Sequence, residues 1–558
     1  MVNQRKSEKP KDEVKIAVGD LETDPFAPGR IEINPFVAGF WDGKNMEIFW
    51  GHDCCKKFVQ HVKKLKGKWV IYFHNGGNFD FHFLLEFLPV EDCEFMLIGK
   101  RIVQIKLPWG VELRDSFAII PKKLAAYEKE ETDYSHFEKP VREKYKNDII
   151  SYLKSDLRNL MDMVLGFFKR FPNKLTLASS VFELMKTDFD YDPGRSEASY
   201  DNKFRPFFFG GRVEFFELGE IKGDYEIIDI NSAYPWAMTK EHWYGFEFEV
   251  VNNMPRKNGE QGFYIVSANA NGCFPLRVKN YGVSFPVGKE RFLVSGWELK
   301  AAIELKLVSD LKILIGYVPT KTKSMKSFAD TFYEKKLEAK KAGDKEEEFF
   351  NKIGLNAGYG RLALNPFKFQ EVKVTTIYDR PKRKKDEQEW KNCWHDIDRG
   401  LSFWKRPKYR AGIDKPVNVA TAASITGCVR AFLLRSMASC GRVVYCDTDS
   451  IIVSSQKRRR SGLKLGEGLG EWKKELSISG KSTGLWIAGK KLYAARGYDA
   501  KNKLIWKVAS KGVKLKPEEI IKVSKGQMQK MTFDAPTFSL FSPPKFVTRE
   551  VNRADKRK

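Results

Sequence analysis

Residues 443–453 read VVYCDTDSIIV, in which two acids are set among β-branched and other apolar residues. The flanking apolar residues predict two short strands that meet at the acids. Burying two carboxylates is costly unless a proton or a cation compensates for the charge. Because positions i and i+2 of a strand share a face, Asp447 and Asp449 are predicted to converge on a divalent metal with oxygen ligands. A polar hairpin turn is the alternative, and this segment alone favours it.

Two further segments upstream carry residues that suit the same chemistry. In DINSAYP at 229–235, Asp229 follows an apolar strand and would complete a site for two metal ions. Two ions about 3.5–4 Å apart can activate a 3′-hydroxyl and stabilise a leaving pyrophosphate. In KIGLNAGYG at 352–360, a predicted helix places Lys352, Asn356 and Tyr359 on one face. The lysine can neutralise a triphosphate and the tyrosine can stack under a base, although an ordinary amphipathic helix ending at glycine is the alternative.

The first third of the chain carries a separate set of acids. Asp20 and Glu22 follow the apolar run VKIAVG, and Asp80 follows the predicted strand KWVIYFH at 68–74. Tyr152 and Asp156 lie one turn apart on a predicted helix over 145–168. Strands followed by helices, with strand-like alternation over 103–113, predict an α/β or α+β first domain of about 170 residues.

The rest of the chain also shows local patterns. Residues 244–320 predict short strands and turns. Residues 325–364 predict two helices with a polar break at Gly343–Asp344, and a further helix is predicted near 419–439.

Composition narrows the class of protein. The chain has 558 residues and a net charge of +26, which favours nucleic-acid binding because released counterions drive the contact. A merely soluble basic protein is the alternative. The chain is 42% hydrophobic and 13% aromatic, which excludes disorder. Neither a membrane span nor the apolar core of a signal peptide is present in the sequence. The eight cysteines show no zinc-binding spacing, so a reduced, cytoplasmic compartment is expected.

The order of the segments resembles that of family B DNA polymerases. DINSAYP, KIGLNAGYG and YCDTDS are similar to motifs A, B and C of that family, and they occur in the family's order. FFGG at 208–211, LGEW at 469–472 and KLY at 491–493 resemble its YxGG, LGxW and KxY motifs. The chain departs from the family pattern at Phe208, which replaces the tyrosine of YxGG, and at Ala357 and Gly358 of motif B. The resemblance spans residues 14 to about 540 and is nearest to the small replicative polymerases of protein-primed phages.

The resemblance implies roles for individual residues of the polymerase region. Metal binding would fall to Asp229, Asp447 and Asp449, with the Ile230 carbonyl assisting. Tyr234 would exclude a ribose 2′-hydroxyl, and the other nucleotide contacts would be Lys336, Lys352, Asn356 and Tyr359, with Lys340 as the alternative to Lys336. Lys491 and Tyr493 would hold the primer terminus, and Gly210 and Gly211 would contact DNA.

The acids of the first domain resemble motifs Exo I, II and III of a DEDDy 3′–5′ exonuclease. This resemblance implies that Asp20, Glu22, Asp80 and Asp156 bind metal and that Tyr152 orients the attacking water. It also implies a catalytic lysine at Lys129. The expected contacts to a frayed single strand are Thr23, His74, Asn75, Phe79, Phe83, Ser116 and Phe117. Phe79 and Phe83 are equally well explained as core aromatics.

The implied fold class is α/β and α+β multidomain, with an RNase H-like exonuclease domain at 1–175 followed by a right-hand polymerase. The expected boundaries are 176–243 for linker and palm, 244–320 for a first insertion, 321–365 for the fingers, 366–412 for a second insertion, 413–520 for the palm with motif C and KxY, and 521–558 for the thumb and basic tail. The first insertion would contact a terminal protein. The second is expected to be irregular, and its basic residues and Trp390, Trp394 and Trp404 predict an element that holds DNA and separates strands. A disordered charged loop is the alternative.

The resemblance as a whole implies a DNA-directed DNA polymerase with 3′–5′ exonuclease activity that uses two Mg²⁺ or Mn²⁺ ions per active site. Its partners would be template and primer DNA, dNTPs, a terminal protein primer and a single-stranded DNA-binding protein. A monomer with no membrane partner is expected, in the host cytoplasm if the chain is viral. The alternatives are priming by nucleic acid or without a primer, a non-catalytic DNA-binding relative and a stand-alone nuclease. Intact acids argue against the non-catalytic relative, and motifs A, B and C argue against the nuclease.

Overall fold

The chain forms two compact units, each built from separated stretches of sequence. Unit 1 consists of Met1–Ser180, Asn365–Asp414 and Thr532–Val547, and unit 2 consists of Val181–Leu364, Lys415–Met531 and Thr548–Lys558. The computed structural model describes residues 14–27, 30, 32–122, 132–195, 197–279, 282–382, 389–409, 417–455, 463–510, 512–533 and 536–554. Within those residues, no helix is both long enough and apolar enough to cross a bilayer.

Both units combine helices with β-sheets. The α-helices are α1 (Cys54–Lys63), α2 (Asp80–Leu84), α3 (Lys146–Arg170), α4 (Leu177–Asp188), α5 (Ala198–Phe204), α6 (Ala233–Met238), α7 (Gly296–Glu304), α8 (Lys326–Ala342), α9 (Lys345–Ala357), α10 (Val419–Ser439) and α11 (Pro517–Ser524). The strands up to motif B are β1 (Lys15–Thr23), β2 (Pro35–Trp41), β3 (Met46–Trp50), β4 (Trp69–Phe73), β5 (Glu94–Ile98), β6 (Arg101–Lys106), β7 (Val111–Asp115), β8 (Val213–Phe215), β9 (Gly219–Glu220), β10 (Tyr225–Ile230), β11 (His242–Val251), β12 (Phe263–Asn271), β13 (Leu276–Val278), β14 (Gly282–Ser284), β15 (Val287–Ser295) and β16 (Val308–Lys323). The later strands are β17 (Phe369–Thr376), β18 (Lys391–Asp396), β19 (Leu401–Pro407), β20 (Val443–Asp447), β21 (Ser450–Ser454), β22 (Trp472–Ile478), β23 (Gly484–Gly489), β24 (Leu492–Tyr498), β25 (Leu504–Ser510), β26 (Gln529–Thr532), β27 (Thr537–Ser539), β28 (Ser542–Lys545) and β29 (Thr548–Val551).

Unit 1 is organised around one ten-stranded sheet with the order β18-β19-β17-β5-β6-β7-β4-β1-β2-β3. Strand β4 runs parallel to both β1 and β7, and the other neighbours are antiparallel. Helix α3 packs against β1 and β2, where Gly39 leaves room for the side chain of Leu157. The apolar runs at 14–20 and 68–74 are therefore strands, as predicted, although the alternation over 103–113 belongs to two strands with a turn between them.

Among the described residues of the second insertion, β-strands occur where irregular chain was expected. Strand β17 pairs with β5, and β19 and β18 follow it, so these three strands extend the sheet of unit 1. Two of the three tryptophans also differ from the expectation that they stack on bases. Trp390 lies buried beneath the Arg406 guanidinium at 4.2 Å, and Trp404 is buried with its indole N–H bonded to Thr375 Oγ1 at 3.0 Å. Trp390 and Trp404 therefore fill the core of the strands, whereas Trp394 stacks on Phe403 and stays half-buried.

Unit 2 contains a nine-stranded sheet in which β10 lies between β21 and β22. A second, four-stranded sheet has the order β11-β16-β12-β15, so the first insertion is a sheet with one 16-residue strand as well as the predicted short strands. The predicted helix near 419–439 is α10. The predicted break at Gly343–Asp344 is also confirmed, because Gly343 ends α8 with a φ of 74° and Asp344 caps α9. These elements confirm the multidomain α/β and α+β class.

A buried ion pair joins two helices of unit 2. The Arg430 guanidinium on α10 donates to both carboxylate oxygens of Glu298 on α7, at 2.7 and 2.9 Å, and both side chains are 2% exposed. Arg430 also donates to the carbonyls of Phe209 and Gly210 at 2.7 and 2.9 Å. Gly211 then packs against the side chain of Thr448 between the motif C acids, where a Cβ would approach to 2.6 Å. Arg430 therefore supports the backbone that holds the motif C turn.

We expect Arg430→Met to lower the free energy of unfolding by about 3–5 kcal/mol, because it leaves the Glu298 carboxylate buried without its cation. Urea denaturation of the two proteins measures this difference. Arg435→Met is a matched control on the same helix, since Arg435 pairs with Glu304 while both side chains are at least a third exposed. We expect this control to cost less than about 1 kcal/mol. Equal losses in the two variants would contradict the structural role assigned to Arg430.

Candidate active sites

Three carboxylates meet on one side of the sheet in unit 1. Asp20 and Glu22 lie at alternate positions of β1, and Asp156 projects from α3. One oxygen from each of the three lies within 4.8 Å of the others. Among the described residues, this is the only set of three such side chains that lie so close together. The predicted convergence of these acids is therefore present, and hard divalent cations prefer such oxygen donors.

Asp80 is attached to the same cluster through the backbone of β1. It begins α2, is 3% exposed, and accepts a hydrogen bond from the backbone N–H of Leu21, which lies between the two acids of β1. Burial raises the pKa of Asp80, and the charge of nearby Asp115 raises it further. Asp115 is itself paired with Arg101 at 2.8 Å. A buried carboxyl with a raised pKa, bonded to the backbone between Asp20 and Glu22, would gain from added positive charge.

Tyr152 lies beside these acids, one turn from Asp156 on α3. Its pKa is raised by burial, then by its hydrogen bond to Tyr134 and by the charges of Asp156 and Glu22. The two tyrosine hydroxyls are 3.1 Å apart. Tyr134 was not predicted, because a lone tyrosine at the start of a short 3₁₀ turn carries no pattern that points to Tyr152. The Tyr152 phenol therefore stays protonated next to the carboxylates.

The residues expected to hold a single strand fall into two groups. His74 is fixed by hydrogen-bonding contacts to Ser116 Oγ at 2.9 Å and to the carbonyl of Lys122 at 2.7 Å, and Phe117 lies beneath Arg101. The second group is aromatic: Phe79 contacts Phe26, Phe83 and Phe538, with ring centroids 5.0–5.5 Å apart. Phe538 was not predicted, because it reaches this aromatic cluster from the distant stretch 532–547. Thr23 ends β1, Asn75 has a φ of 63°, and Lys129 lies outside the described residues.

The motif C acids of unit 2 lie at a tight hairpin. Asp447 ends β20, Thr448 and Asp449 form the turn, and Ser450 begins β21 opposite Asp447. The prediction that Asp447 and Asp449 share a strand face was wrong. Asp449 lies in the turn, and Thr448 before it has a φ of 61°. The neighbouring strand β10 brings Asp229 opposite Ser450, and the Ile230 N–H donates to the Asp449 carbonyl at 2.7 Å. The hairpin and β10 together gather the three acids.

The three acids interact electrostatically with one another and with two lysines. Burial and the charge of Asp449 raise the pKa of Asp229 to about 7, and burial and Asp447 raise the pKa of Asp449. The Lys491 ammonium donates to Asp447 Oδ1 at 2.6 Å, so this KxY lysine is paired with a motif C acid. Burial lowers the pKa of Lys507, although Asp229 and Asp449 oppose that shift. The three acids thus share a half-buried region in which additional positive charge would be stabilising.

The predicted nucleotide-binding residues lie on two neighbouring helical segments. Tyr234 in α6 stacks on Tyr359 just after α9, with ring centroids 4.5 Å apart, and their hydroxyls are hydrogen-bonded. Lys352 and Asn356 are exposed on α9, as a phosphate-binding face requires. Lys336 on α8 lies 4.9 Å above the ring of Tyr333, and its pKa is lowered by burial and by the charge of Lys352. Tyr493 packs against Tyr445 with ring centroids 5.0 Å apart.

Comparison with known proteins identifies the relatives of this chain. Residues 124–396 match the family described as DNA polymerase type B, organellar and viral. The chain is 35% identical to the DNA-directed DNA polymerase of Enterobacteria phage PRD1, over 98% of this chain and 99% of that protein. Phi29 DNA polymerase, in an orthorhombic crystal form, shares the fold with a TM-score of 0.76 at 17% identity, over 97% of this chain and 100% of that one. The phi29 enzyme complexed with primer-template DNA and incoming nucleotide gives a TM-score of 0.75 at 18% identity, over 97% and 99% of the chains.

We expect Asp229→Asn to raise the melting temperature at pH 8 when divalent cations are absent. The pKa of Asp229 is about 7 in the folded chain and near 3.9 when unfolded, so folding binds a proton between these values and stability falls as pH rises through that window. The substitution removes this loss, and the advantage of the variant should shrink at pH 5. Differential scanning calorimetry at the two pH values makes the measurement. A variant no more stable than the original at pH 8 would contradict the raised pKa.

Proposed function

The chain belongs to the viral, protein-primed group of the family B DNA-directed DNA polymerases, and from this premise we propose that unit 2 extends a DNA 3′-end while unit 1 removes mispaired nucleotides by 3′–5′ hydrolysis. The observation that carries the proposal is the presence of a separate set of carboxylates in each unit. One set comprises Asp20, Glu22, Asp80 and Asp156 in unit 1, and the other comprises Asp229, Asp447 and Asp449 in unit 2. Both sets fit divalent cations, Mg²⁺ or Mn²⁺. In unit 1 the oxygens of Asp20, Glu22 and Asp156 cluster, and in unit 2 burial and mutual charge raise the pKa values of Asp229 and Asp449, so added positive charge is favoured in each.

In unit 2, the protein residues position the primer and the incoming nucleotide. Asp229, Asp447 and Asp449 would hold two divalent ions, which when bound lower the barrier to attack by the 3′-oxygen and stabilise the leaving pyrophosphate. Lys336 and Lys352 bring positive charge to the triphosphate, and Tyr359 stacks against the nascent base pair. Tyr234 is held against Tyr359, so its ring covers the sugar and excludes a 2′-hydroxyl. Lys491 exchanges its partner Asp447 for the primer terminus.

In unit 1, the residues around Asp20 and Glu22 position a single strand for hydrolysis. Tyr152, held by Tyr134, orients the attacking water as a hydrogen-bonding phenol. Phe79, Phe83 and Phe538 form an aromatic surface on which unpaired bases can stack. Beside them lies a cavity of 450 Å³, lined in part by Phe83, Trp394 and Phe538, that can accommodate part of the strand.

The same proposal includes the partners of the enzyme. Template and primer DNA and dNTPs are its substrates, a terminal protein supplies the priming hydroxyl, and a single-stranded DNA-binding protein covers the displaced strand. The net charge of +26 supports tight binding to DNA phosphates. The four-stranded sheet of the first insertion offers the terminal protein a surface with exposed apolar residues such as Val250 and Val287.

We expect Asp449→Ala to abolish primer extension and to leave degradation of single strands intact. Loss of a carboxylate that supports the reacting ions removes several kcal/mol of stabilisation, which lowers the rate by about 10³-fold or more. Asp20→Ala combined with Glu22→Ala should give the reverse result and serves as the matched control. Extension and degradation of one labelled primer, measured with Mg²⁺, distinguish the two outcomes. Near-normal extension by the Asp449 variant would refute the assignment.

We also propose that the strands of the second insertion keep DNA bound during long synthesis and support strand displacement. Exposed lysines follow these strands and can track a phosphate backbone; they are Lys368, Lys373, Lys382, Lys391 and Lys408. Because Trp390 and Trp404 are buried, charge and the paired strands carry this role. Strand β17 reaches β19 directly, with Thr376 opposite Leu401, so the segment between them can be removed without unpairing the two strands.

We expect replacement of residues 377–400 by a two-residue Asn-Gly turn to shorten products and to stall synthesis at a downstream duplex. Single-nucleotide addition on an open template should persist, because the acids of unit 2 are untouched. Degradation of single strands reports whether unit 1 remains folded in the variant. Product lengths on a primed circle, with a DNA trap to prevent rebinding, provide the measurement. Long products through duplex in that assay would exclude this segment as the processivity element.

A further inference from the structure

Glu467 places a carboxylate among the lysines of α8 and β22. Its two oxygens lie 3.5 Å from the Lys340 ammonium on α8 and 3.5 Å from the Lys473 ammonium on β22. These two positive charges lower the pKa of Glu467, so the side chain is an anion near neutral pH. The charge of Glu467 also acts on Lys336, the residue proposed to meet the triphosphate. A protein anion thus lies beside the cations that a nucleotide needs.

The loop that carries Glu467 is fixed to the strand of motif A. The side-chain amide of Asn231, two residues after Asp229, donates to the Gly466 carbonyl at 2.8 Å. The Asn231 N–H donates to the carbonyl of Glu471 at 2.9 Å, and the Gly470 N–H donates back to the Asn231 carbonyl at 2.9 Å. Gly470 has a φ of 80° and lies against the ring of Trp236, where a Cβ would approach to 2.0 Å. The loop therefore holds Glu467 at a set place relative to Asp229.

The same loop is joined to the predicted fingers by a neutral contact. The Tyr333 hydroxyl on α8 donates to the Glu467 carbonyl at 2.5 Å, and the ring of Tyr333 supports Lys336. Tyr333 is buried, whereas the side chains of Glu467 and Lys340 are 65% and 50% exposed. Exposed ion pairs are weak and readily exchanged. The hydrogen bond can therefore keep the loop beside α8 while the carboxylate gives up its lysines to a stronger anion.

We propose that Glu467 sets the affinity of the polymerase for nucleotides, because its carboxylate pairs with Lys340 of α8 and Lys473 of β22 until the phosphates of an incoming dNTP displace it. This inference rests on the proposed use of dNTPs by unit 2. A triphosphate carries several negative charges where Glu467 carries one, so the correct ligand displaces it and weaker anions compete poorly. The carboxylate touches the lysines and not the reacting atoms, which makes Glu467 a specificity-determining residue and leaves the chemical step to the motif A and C acids.

The test is Glu467→Gln, which removes the charge and keeps the shape of the side chain. Single-turnover addition of one correct dNTP, in a background of Asp20→Ala with Glu22→Ala, gives the nucleotide Kd and the maximal rate separately. We expect the Kd to fall about fivefold, equivalent to about 1 kcal/mol, with the maximal rate changed less than about twofold. Inhibition by pyrophosphate should strengthen by a similar factor, since pyrophosphate brings the same phosphate charge. Affinity for primer-template DNA should stay the same.

Two further variants separate this role from a general effect of charge. Glu338→Gln removes one negative charge from an exposed position of the same helix as Lys340, and it should leave the nucleotide Kd unchanged. In a Lys340→Gln background, Glu467→Gln should lose most of its effect, because coupled residues are not additive. An unchanged or raised Kd in Glu467→Gln, or equal changes in Glu467→Gln and Glu338→Gln, would overturn the inference. Failure of the unsubstituted protein to add any dNTP would instead overturn the proposed function.

Discussion

The organisation of unit 2 depends on holding three carboxylates close together where water is partly excluded. Strand β10 contributes Asp229 and the β20–β21 hairpin contributes Asp447 and Asp449, and burial raises the pKa of Asp229 and Asp449. Such a cluster is unfavourable without added positive charge. Its geometry must therefore be held by the surrounding fold.

The supporting contacts reach the hairpin from outside its own sheet. Arg430 neutralises Glu298 and satisfies the carbonyls of Phe209 and Gly210, which sets the backbone that packs on Thr448. A buried, bidentate arginine can do this because its donors lie in one plane, and four hydrogen bonds fix the Arg430 guanidinium in place. The position of the turn residue Thr448 thus depends on an ion pair formed by two helices.

Sequence patterns predicted the elements whose signals are local. The helix break at Gly343–Asp344, helix α10 and the apolar strands beside both acid sets are encoded by residues adjacent in the chain. Contacts between distant stretches could not be predicted from one sequence. The partner of β17 is β5, the aromatic cluster at Phe79 is completed by Phe538, and the hydroxyl partner of Tyr152 is Tyr134. The turn position of Asp449 was missed for a different reason, since two acids one residue apart suit a strand face and a hairpin equally well. None of the residue roles in either site follows from these placements alone, so they stay proposals.

The short segment from Asp229 to Trp236 connects the acid cluster to the residues proposed to contact the nucleotide. Asp229 belongs to the acid cluster, and Asn231 anchors the loop of Glu467 beside Lys340 of α8. Tyr234 then stacks on Tyr359, which follows the helix of Lys352. Because these residues are so close in sequence, the Tyr234 ring and the loop of Glu467 are both tied to the strand that carries Asp229. A change in the length of this segment would therefore move Tyr234 and Glu467 relative to the acids.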